Sequence, residues 1–366
     1  MNAPKAPKAA LNVAPDEVCA LGALTDEALT RWQALIVEHG GGYFSGPVWC
    51  RAWYEHFGEA GETRVGIWRD GGSIVAVAAM ICTRERLLPA SARFSPRVSA
   101  WRNVGASEGS ADHLSFAGPP DLRRSIIDWA FSLGPATRLL NLDPAWGGEA
   151  PAGRRFTRSD IRTYRVPISG GEPHPGSKKM WKNIAWGRRR LVDQGVSFGV
   201  HVGRDVDEPL LRDLVDLHAK RSSAAGRTTS FTIDRLPFHV RLARESNELH
   251  RSVMITAHQE GALIGGLYGF LDPTTFSYYQ SGWSPEFERL SLGSVLLGDA
   301  FDAAGRLGSE TFDFLRGDEP YKLRFGASIV HDISCAHLGG VGGVILGVRD
   351  QLVHRAAARR DVGTTI

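Results

Sequence analysis

The residues with chemistry to offer gather late in the chain, in the run FDFLRGDEPYKLRFG from Phe312 to Gly326. Tyr321 carries a phenol of ordinary pKa near 10, suited to donating a proton to a leaving thiolate. Asp313 lies between Phe312 and Phe314, so strand alternation sends its carboxylate to the face opposite both rings. There it could orient an acceptor or act as a base through water, or equally pair with Arg316 or Lys322. Arg316 could reach a phosphate or the acceptor. Outside this run, His218 in DLVDLHAKR is the best-placed histidine for a general base, on a helix ahead of the polar segment AAGRTTSF. Each has a plainer alternative: Tyr321 packs, Lys322 is a solvated charge, Arg316 is exposed, and His218 is a structural histidine.

Acyl transfer from a thioester, the reaction implied by the resemblance given below, asks for little more than this. The acceptor loses a proton, a backbone donor steadies the developing oxyanion, and an acid meets the thiolate. No metal or covalent nucleophile is needed, and the sequence has no serine–histidine–acid set, Walker loop or zinc signature.

These residues need a frame, and Ser281 to Gly326 supplies one: strand, glycine turn, helix, strand, short helix. Leu296, Ala300, Ala303, Ala304 and Leu307 recur at helical spacing, with Asp299, Asp302 and Arg306 on the other face. Gly293 and Ser294 stand at the helix start, where backbone N–H groups lack intrahelical partners and carry positive dipole. With Val295 they could hold an anion, a phosphate above all. Asp318 could cap the short helix, with Pro320 in its first turn, placing Tyr321 and Lys322 at the end of strand Thr311 to Leu315. Tyr278, Tyr279, Gln280 and Trp283 lead up to the glycine turn and suit stacking on a sugar, although core packing suits them too.

SLGSVLLGDAFDAAGRLGSETFDFLRGDEPYKLRFG closely resembles the signature of bacterial acetyltransferases of the cellulose-biosynthesis type (CelD/BcsL-like), in the GNAT superfamily and related to the FemAB aminoacyltransferases. The resemblance runs more loosely over most of the chain, including YFSGPVWCRAWYEHFG. It implies an α/β fold of two tandem GNAT-like domains with mixed, mainly antiparallel sheets flanked by helices. It also implies acetyl-CoA or another acyl-CoA as co-substrate, no metal, a strand N–H for the oxyanion, and Tyr321 as acid. The acceptor it implies is a sugar amine or hydroxyl on a cell-surface polysaccharide precursor. The usual Arg/Gln-x-x-Gly-x-Gly/Ala pyrophosphate loop is absent; Arg289, Gly293 and Ser294 echo it.

Composition bounds the rest. The chain has 366 residues, room for two domains of roughly 150 residues each. A net charge of +3 is too small to argue for DNA or other nucleic acid. Cys19, Cys50, Cys82 and Cys335 lie far apart, which favours reduced thiols in a cytoplasm. MNAPKAPKAALNVAPDE reads as a disordered lead, and the longest apolar runs fall short of the about 20 residues that span a membrane. Lys178, Lys179, Lys182, Arg188, Arg189 and Arg190 fall within thirteen residues without an acid. This run could meet a cofactor phosphate, an anionic glycan, a lipid-linked intermediate at a membrane periphery or cyclic di-GMP, or it is a solvated face.

Two segments rhyme with two others. RVGIWRDGGSIVAVAAMI matches SVMITAHQEGALIGGLYGF as strand, turn, strand, and DLRRSIIDWAFSLGPATRLLNL matches GSVLLGDAFDAAGRLGSETFDFL as helix, stop, strand. This predicts a duplicated unit over 18–168 and 177–348, with a basic tail helix over 349–366. Pro119 and Pro120 precede the first copy's helix and lack N–H donors, so a phosphate should prefer the second copy. Further elements expected are helices over 25–39, 47–57, 121–133, 177–194, 208–223 and 233–247, and strands over 63–69, 73–82, 112–116, 137–142, 161–168, 196–202, 252–258, 262–271, 275–282 and 328–338. Besides acyl transfer, two other functions fit: FemAB-like transfer from aminoacyl-tRNA, and a catalytically silent module that binds a signalling nucleotide.

Overall fold

Thr25 opens the first helix, accepting the Ala28 N–H at 3.2 Å, and one apolar stripe (Ala28, Trp32, Leu35, Ile36) turns that helix onto a sheet. The computed structural model describes residues 14–58, 61–86, 97–151, 156–168, 175–224, 226, 229–340 and 343–347. The first half runs β1 (Glu17–Cys19), α1 (Asp26–Glu38), α2 (Pro47–Phe57), β2 (Glu62–Asp70), β3 (Ser73–Arg86), β4 (Arg97–Asn103), α3 (Arg123–Ser132), β5 (Ala136–Leu142), α4 (Pro144–Gly147) and β6 (Phe156–Pro167). The second runs α5 (Lys178–Asp193), β7 (Ser197–Val202), α6 (Glu208–Ala224), α7 (Leu236–Arg244), β8 (Arg251–Gln259), β9 (Ala262–Leu271), β10 (Thr275–Trp283), α8 (Leu292–Arg306), β11 (Thr311–Arg316), α9 (Tyr321–Arg324) and β12 (Ser328–Leu338). Most expected elements are present, and the basic tail lies outside the described residues.

Among the described residues all twelve strands join one sheet, ordered β1-β2-β3-β4-β5-β12-β6-β11-β10-β9-β8-β7. Two hairpins anchor the halves: β2–β3 turns through Gly71 and Gly72, both at positive φ, and β8–β9 turns at Glu260 and Gly261. The last strand of each half crosses to the other. β6 lies beside β11 and β12 beside β5, and the two pair along Ser328 to His337. A largely aromatic core, including Tyr43, Phe44, Trp49, Phe238, Tyr268, Phe270 and Tyr279, runs from α1 and α2 into α6, α7 and β9, so the halves share buried surface as well as a sheet.

Four details depart from the expectations. Asp112 to Phe116 forms no strand, only a single bridge from Leu114 to Leu142, because His113 sits at φ 52 and breaks the extended run. β1 and β4 do form, although neither is legible by alternation. The helix expected over 233–247 is a 3-10 turn at Ile233–Arg235 followed by α7, since Pro237 starts a helix well but cannot sit inside one. Asp318 does not cap α9, whose N-cap is Pro320. Its carboxylate instead accepts from the Tyr164 hydroxyl at 2.8 Å and from Arg162 at 2.7 Å.

Candidate active site

β10 and β11 run parallel, yet only Thr275–Ser277 pair with Thr311–Asp313. Beyond that the strands part, β10 staying with β9 and β11 following β6. A one-residue bulge at Tyr279 bends β10. On β11, Leu315 adopts φ 56 within a second irregularity, and its N–H donates to Asp313 Oδ1 at 2.7 Å. The gap widens into a cleft of about 1060 Å³.

α8 points its N-terminus at this cleft. Ser291, in the left-handed region at φ 56, is its N-cap, with no side-chain capping bond and no acid in the first turn. The Ser294 and Val295 N–H groups return to Ser291 O, so among the described residues the orphan donors of this helix start are those of Leu292 and Gly293. Gly293 has a more local reason to be glycine than an approaching phosphate. A Cβ there would lie 2.7 Å from the Trp283 indole, which packs on the first turn. Arg221 stacks on the same indole, 3.7 Å from its centroid, and shares the cleft with Lys179 and Arg324.

The cleft brings together His218, Tyr279, Gln280, Trp283, Gly293, Ser294, Arg316, Tyr321 and Lys322. Tyr321 is largely buried. Burial first, then Tyr278 and Glu319, hold its phenol well above the usual range, so it stays a neutral donor. Its hydroxyl meets that of Tyr278, which lies 2.5 Å from Ser281 Oγ. His218 sits across from this chain of hydroxyls. Its Nδ1 lies 2.7 Å from Ser281 O, which fixes the proton on Nδ1 and leaves Nε2 to accept from Thr229 Oγ1 at 2.7 Å. Burial lowers the His218 pKa, so the ring is neutral near pH 7.

Other residues singled out in the sequence hold the frame. Lys322 is no solvated charge: its side chain is buried, with Nζ donating to Arg316 O at 2.7 Å and Gly317 O at 2.8 Å and lying 3.1 Å from Glu319. That staples the turn carrying Tyr321. Tyr279 donates to Gly109 O at 2.6 Å. Arg316 is engaged by Asp112, Nε to Oδ1 at 2.6 Å. Three residues do not line the cleft. Val295 is fully buried in the core, and Arg289 is exposed outside the cleft. Asp313 is fully buried and pairs with neither Arg316 nor Lys322; Arg165 Nε lies 2.7 Å from its Oδ2 and His113 Nε2 2.9 Å.

Sequence reasoning missed that last cluster. His113 Nδ1 reaches Asp332 Oδ1 at 2.6 Å, so one imidazole lies between carboxylates of β11 and β12. Burial would lower the His113 pKa, but Asp313 and Asp332 raise it to about 10, and the same ring with Arg165 holds Asp313 at about 2 despite burial. The adjacent Asp112-His113 pair was the signal available, but its partners lie some two hundred positions on. Thr229 and Ser281 carry no signal because small polar residues in loops and strands have no spacing pattern, and Arg221 reads as one more charge at the end of a polar helix.

Residues 178–323 match the family described as acetyltransferase (GNAT) domain. Among solved structures the chain is similar to FemX, with 10% identity, 88% of this chain and 97% of that one covered, and a TM-score of 0.61. It is also similar to the C-terminal domain of a putative lysylphosphatidylglycerol synthetase from Agrobacterium fabrum, at 11% identity, 87% and 94% coverage and a TM-score of 0.55. A conserved protein of unknown function from Bacteroides thetaiotaomicron gives 10% identity, 86% and 98% coverage and a TM-score of 0.53. No curated protein matches the sequence. Sheet, split and likenesses define a tandem GNAT-like fold.

Proposed function

We propose that the protein is an acyl-CoA-dependent N- or O-acyltransferase of the cellulose-biosynthesis type, acting on a sugar amine or hydroxyl of a cell-surface polysaccharide precursor. The observation that carries this is one cleft where the parted strands, the uncapped start of α8, a neutral tyrosine and a neutral histidine meet. The residues present fit an acyl-CoA: orphan amides of Leu292 and Gly293 beside Arg221 and Lys179 suit a diphosphate. When bound, the co-substrate supplies a thioester carbonyl.

The chain's own groups then divide the work. Arg221 and the α8 amides hold the anionic end, with Trp283 fixing the guanidinium plane. His218 Nε2 accepts the acceptor's proton through the Thr229 hydroxyl, and Ser281 O keeps the ring in that tautomer. Tyr321 donates toward the departing sulfur, and burial that raises its phenol would also raise a thiolate in the same cleft. Gln280 and Tyr278 line the same cleft and are available to an acceptor.

Calorimetry with acetyl-CoA, then mass spectrometry of candidate glycans after incubation, tests this. Heat of binding and a mass gain of one acyl group are expected; no heat with any acyl-CoA overturns it and favours the silent nucleotide-binding module. The fold likeness to FemX favours a second reading, FemAB-like transfer from aminoacyl-tRNA, which loss of activity on ribonuclease treatment would reveal.

A further inference from the structure

α5 has two faces, and only one is spent on the fold. Ile184, Gly187 and Leu191 are buried, Gly187 so closely that a Cβ would lie 2.6 Å from Leu290 O. At 100° per residue, Lys179, Lys182, Trp186, Arg189 and Arg190 fall within about 60° of one another's centre line; Lys179, at the end nearest the α8 start, also lines the cleft, and the other four lie on the side away from α8. All five are exposed. Trp186 stands in the middle of the stripe with 48% of its surface in solvent, and Arg190 lies over its ring at 5.8 Å. Beside it runs Val192, 49% exposed, and a shallow concavity lined by Ala185, Trp186, Arg189 and Val192. Among the described residues none of the stripe's four cations has an ion-pair partner, whereas Arg188, off the stripe, is held by Asp299 at 2.9 Å. Asp193 is the single acid on this face.

A solvated helix face needs the charges but gains nothing from an exposed indole at their centre. Indole at the level of the headgroups with cations around it is what a helix lying on an anionic bilayer presents. We propose that the outer face of α5 is a docking surface for an anionic lipid membrane, Trp186 entering the interface and Lys182, Arg189 and Arg190 meeting the headgroups. A nucleic-acid partner fits less well, because this face offers one aromatic and no groove to follow a backbone. The inner side of the same helix, at Met180, Asn183 and Ile184, lines the cleft. Docking would therefore hold the cleft within about one helix diameter of the lipid surface, where a lipid-linked acceptor is presented. The docking itself does not depend on the transferase reading.

Co-sedimentation of the full chain with vesicles tests it without turnover. With 30% phosphatidylglycerol in phosphatidylcholine, binding is expected that vanishes on pure phosphatidylcholine and falls steeply with salt. Each basic side chain near such a surface strengthens binding about fivefold. Arg189→Glu with Arg190→Glu should therefore weaken partitioning at least about 25-fold, and Trp186→Ala several-fold. Arg189→Lys with Arg190→Lys should bind like the parent, since charge and not guanidinium geometry carries the contact. None of these residues lines the cleft, so acetyl-CoA binding measured by calorimetry should not change in any variant. Equal partitioning of the parent on charged and uncharged vesicles, no partitioning at all, or full retention in the double glutamate variant overturns the proposal, as does binding to RNA with no binding to either vesicle.

Discussion

The two halves start from one plan and treat the parting of their strands in opposite ways. In the first half β4 and β5 are parallel and paired only at Trp101–Thr137 and Arg102–Arg138, one pair fewer than β10 and β11. There the gap is closed. Asn103 reaches across, donating Nδ2 to Leu140 O at 3.1 Å and accepting the Leu140 N–H at 2.9 Å. The chain from Leu114 to Ala117 then occupies the lane that β4 vacates, bridging Leu142 on one side and Val77 on the other. Asn141, at φ 54, holds the place that Leu315 holds at φ 56 in the second half. After it comes Asp-Pro-Ala-Trp in place of Asp-Glu-Pro-Tyr. Trp146 packs into the core against Phe116, where Tyr321 faces a cleft. The same loop that fills the first gap carries Asp112 and His113 to β11, so the sealed half braces the open one.

Filling the open gap as the first is filled should have the largest effect. Gly293→Val sets a branched side chain where a Cβ already lies 2.7 Å from the Trp283 indole. Displaced into the cleft, the indole should lower acyl-CoA affinity about 10³-fold by calorimetry. Breaking the brace comes next: Asp313→Ala strands Arg165 and His113 and should cost about 4 kcal/mol in urea unfolding. Tyr321→Phe makes the open half as hydroxyl-free as the closed one at that place, and should slow transfer about 100-fold with acyl-CoA binding within twofold of the parent. Asn103→Leu removes the clasp of the closed half; unsatisfied groups at Leu140 should cost about 2 kcal/mol while acyl-CoA affinity stays unchanged.

The brace can also be loosened by pH, which removes the charge that Asp313→Ala would strand. The His113 pKa is raised from 6.5 to about 10, so its contribution is fully present below pH 6.5 and is lost as pH rises through about 10. The Asp313 pKa is lowered from 3.8 to about 2, so its contribution is present above 3.8 and is lost as pH falls through about 2. Between pH 7 and 10 the parent should therefore lose more stability to unfolding than His113→Gln does. Parallel curves would mean that the ring is not charged in the folded protein.

Much of this was legible in the sequence because it is local. The Asp-Gly-Gly hairpin, the Leu296–Leu307 stripe of α8 and the strand–helix rhyme depend on neighbours within a few residues, and most residues singled out around Gly293 and Tyr321 line one cleft. What was not legible depends on distance. Asp313 was weighed against Arg316 and Lys322 because they stood near it in the chain, whereas its partners come from β6 and from the loop at His113. A glycine at a helix start suggests an anion site from sequence alone, whereas at Gly293 the indole of Trp283, ten residues earlier, already needs the space. Strand alternation could not reveal that Asp112 to Phe116 bends at His113 and fills a lane rather than forming a strand.

The exchange of β6 and β12 bears on biosynthesis. The first half's sheet ends in an edge at β5 until Ser328–Leu338 arrives, about half the chain later. A nascent chain emerging from the ribosome therefore carries an unfinished layer through about half of translation, with a bare strand edge that invites mispairing. Completion of both halves is deferred to one late event, the insertion of β12 between β5 and β6, so a premature stop ahead of Ser328 should leave neither half soundly folded.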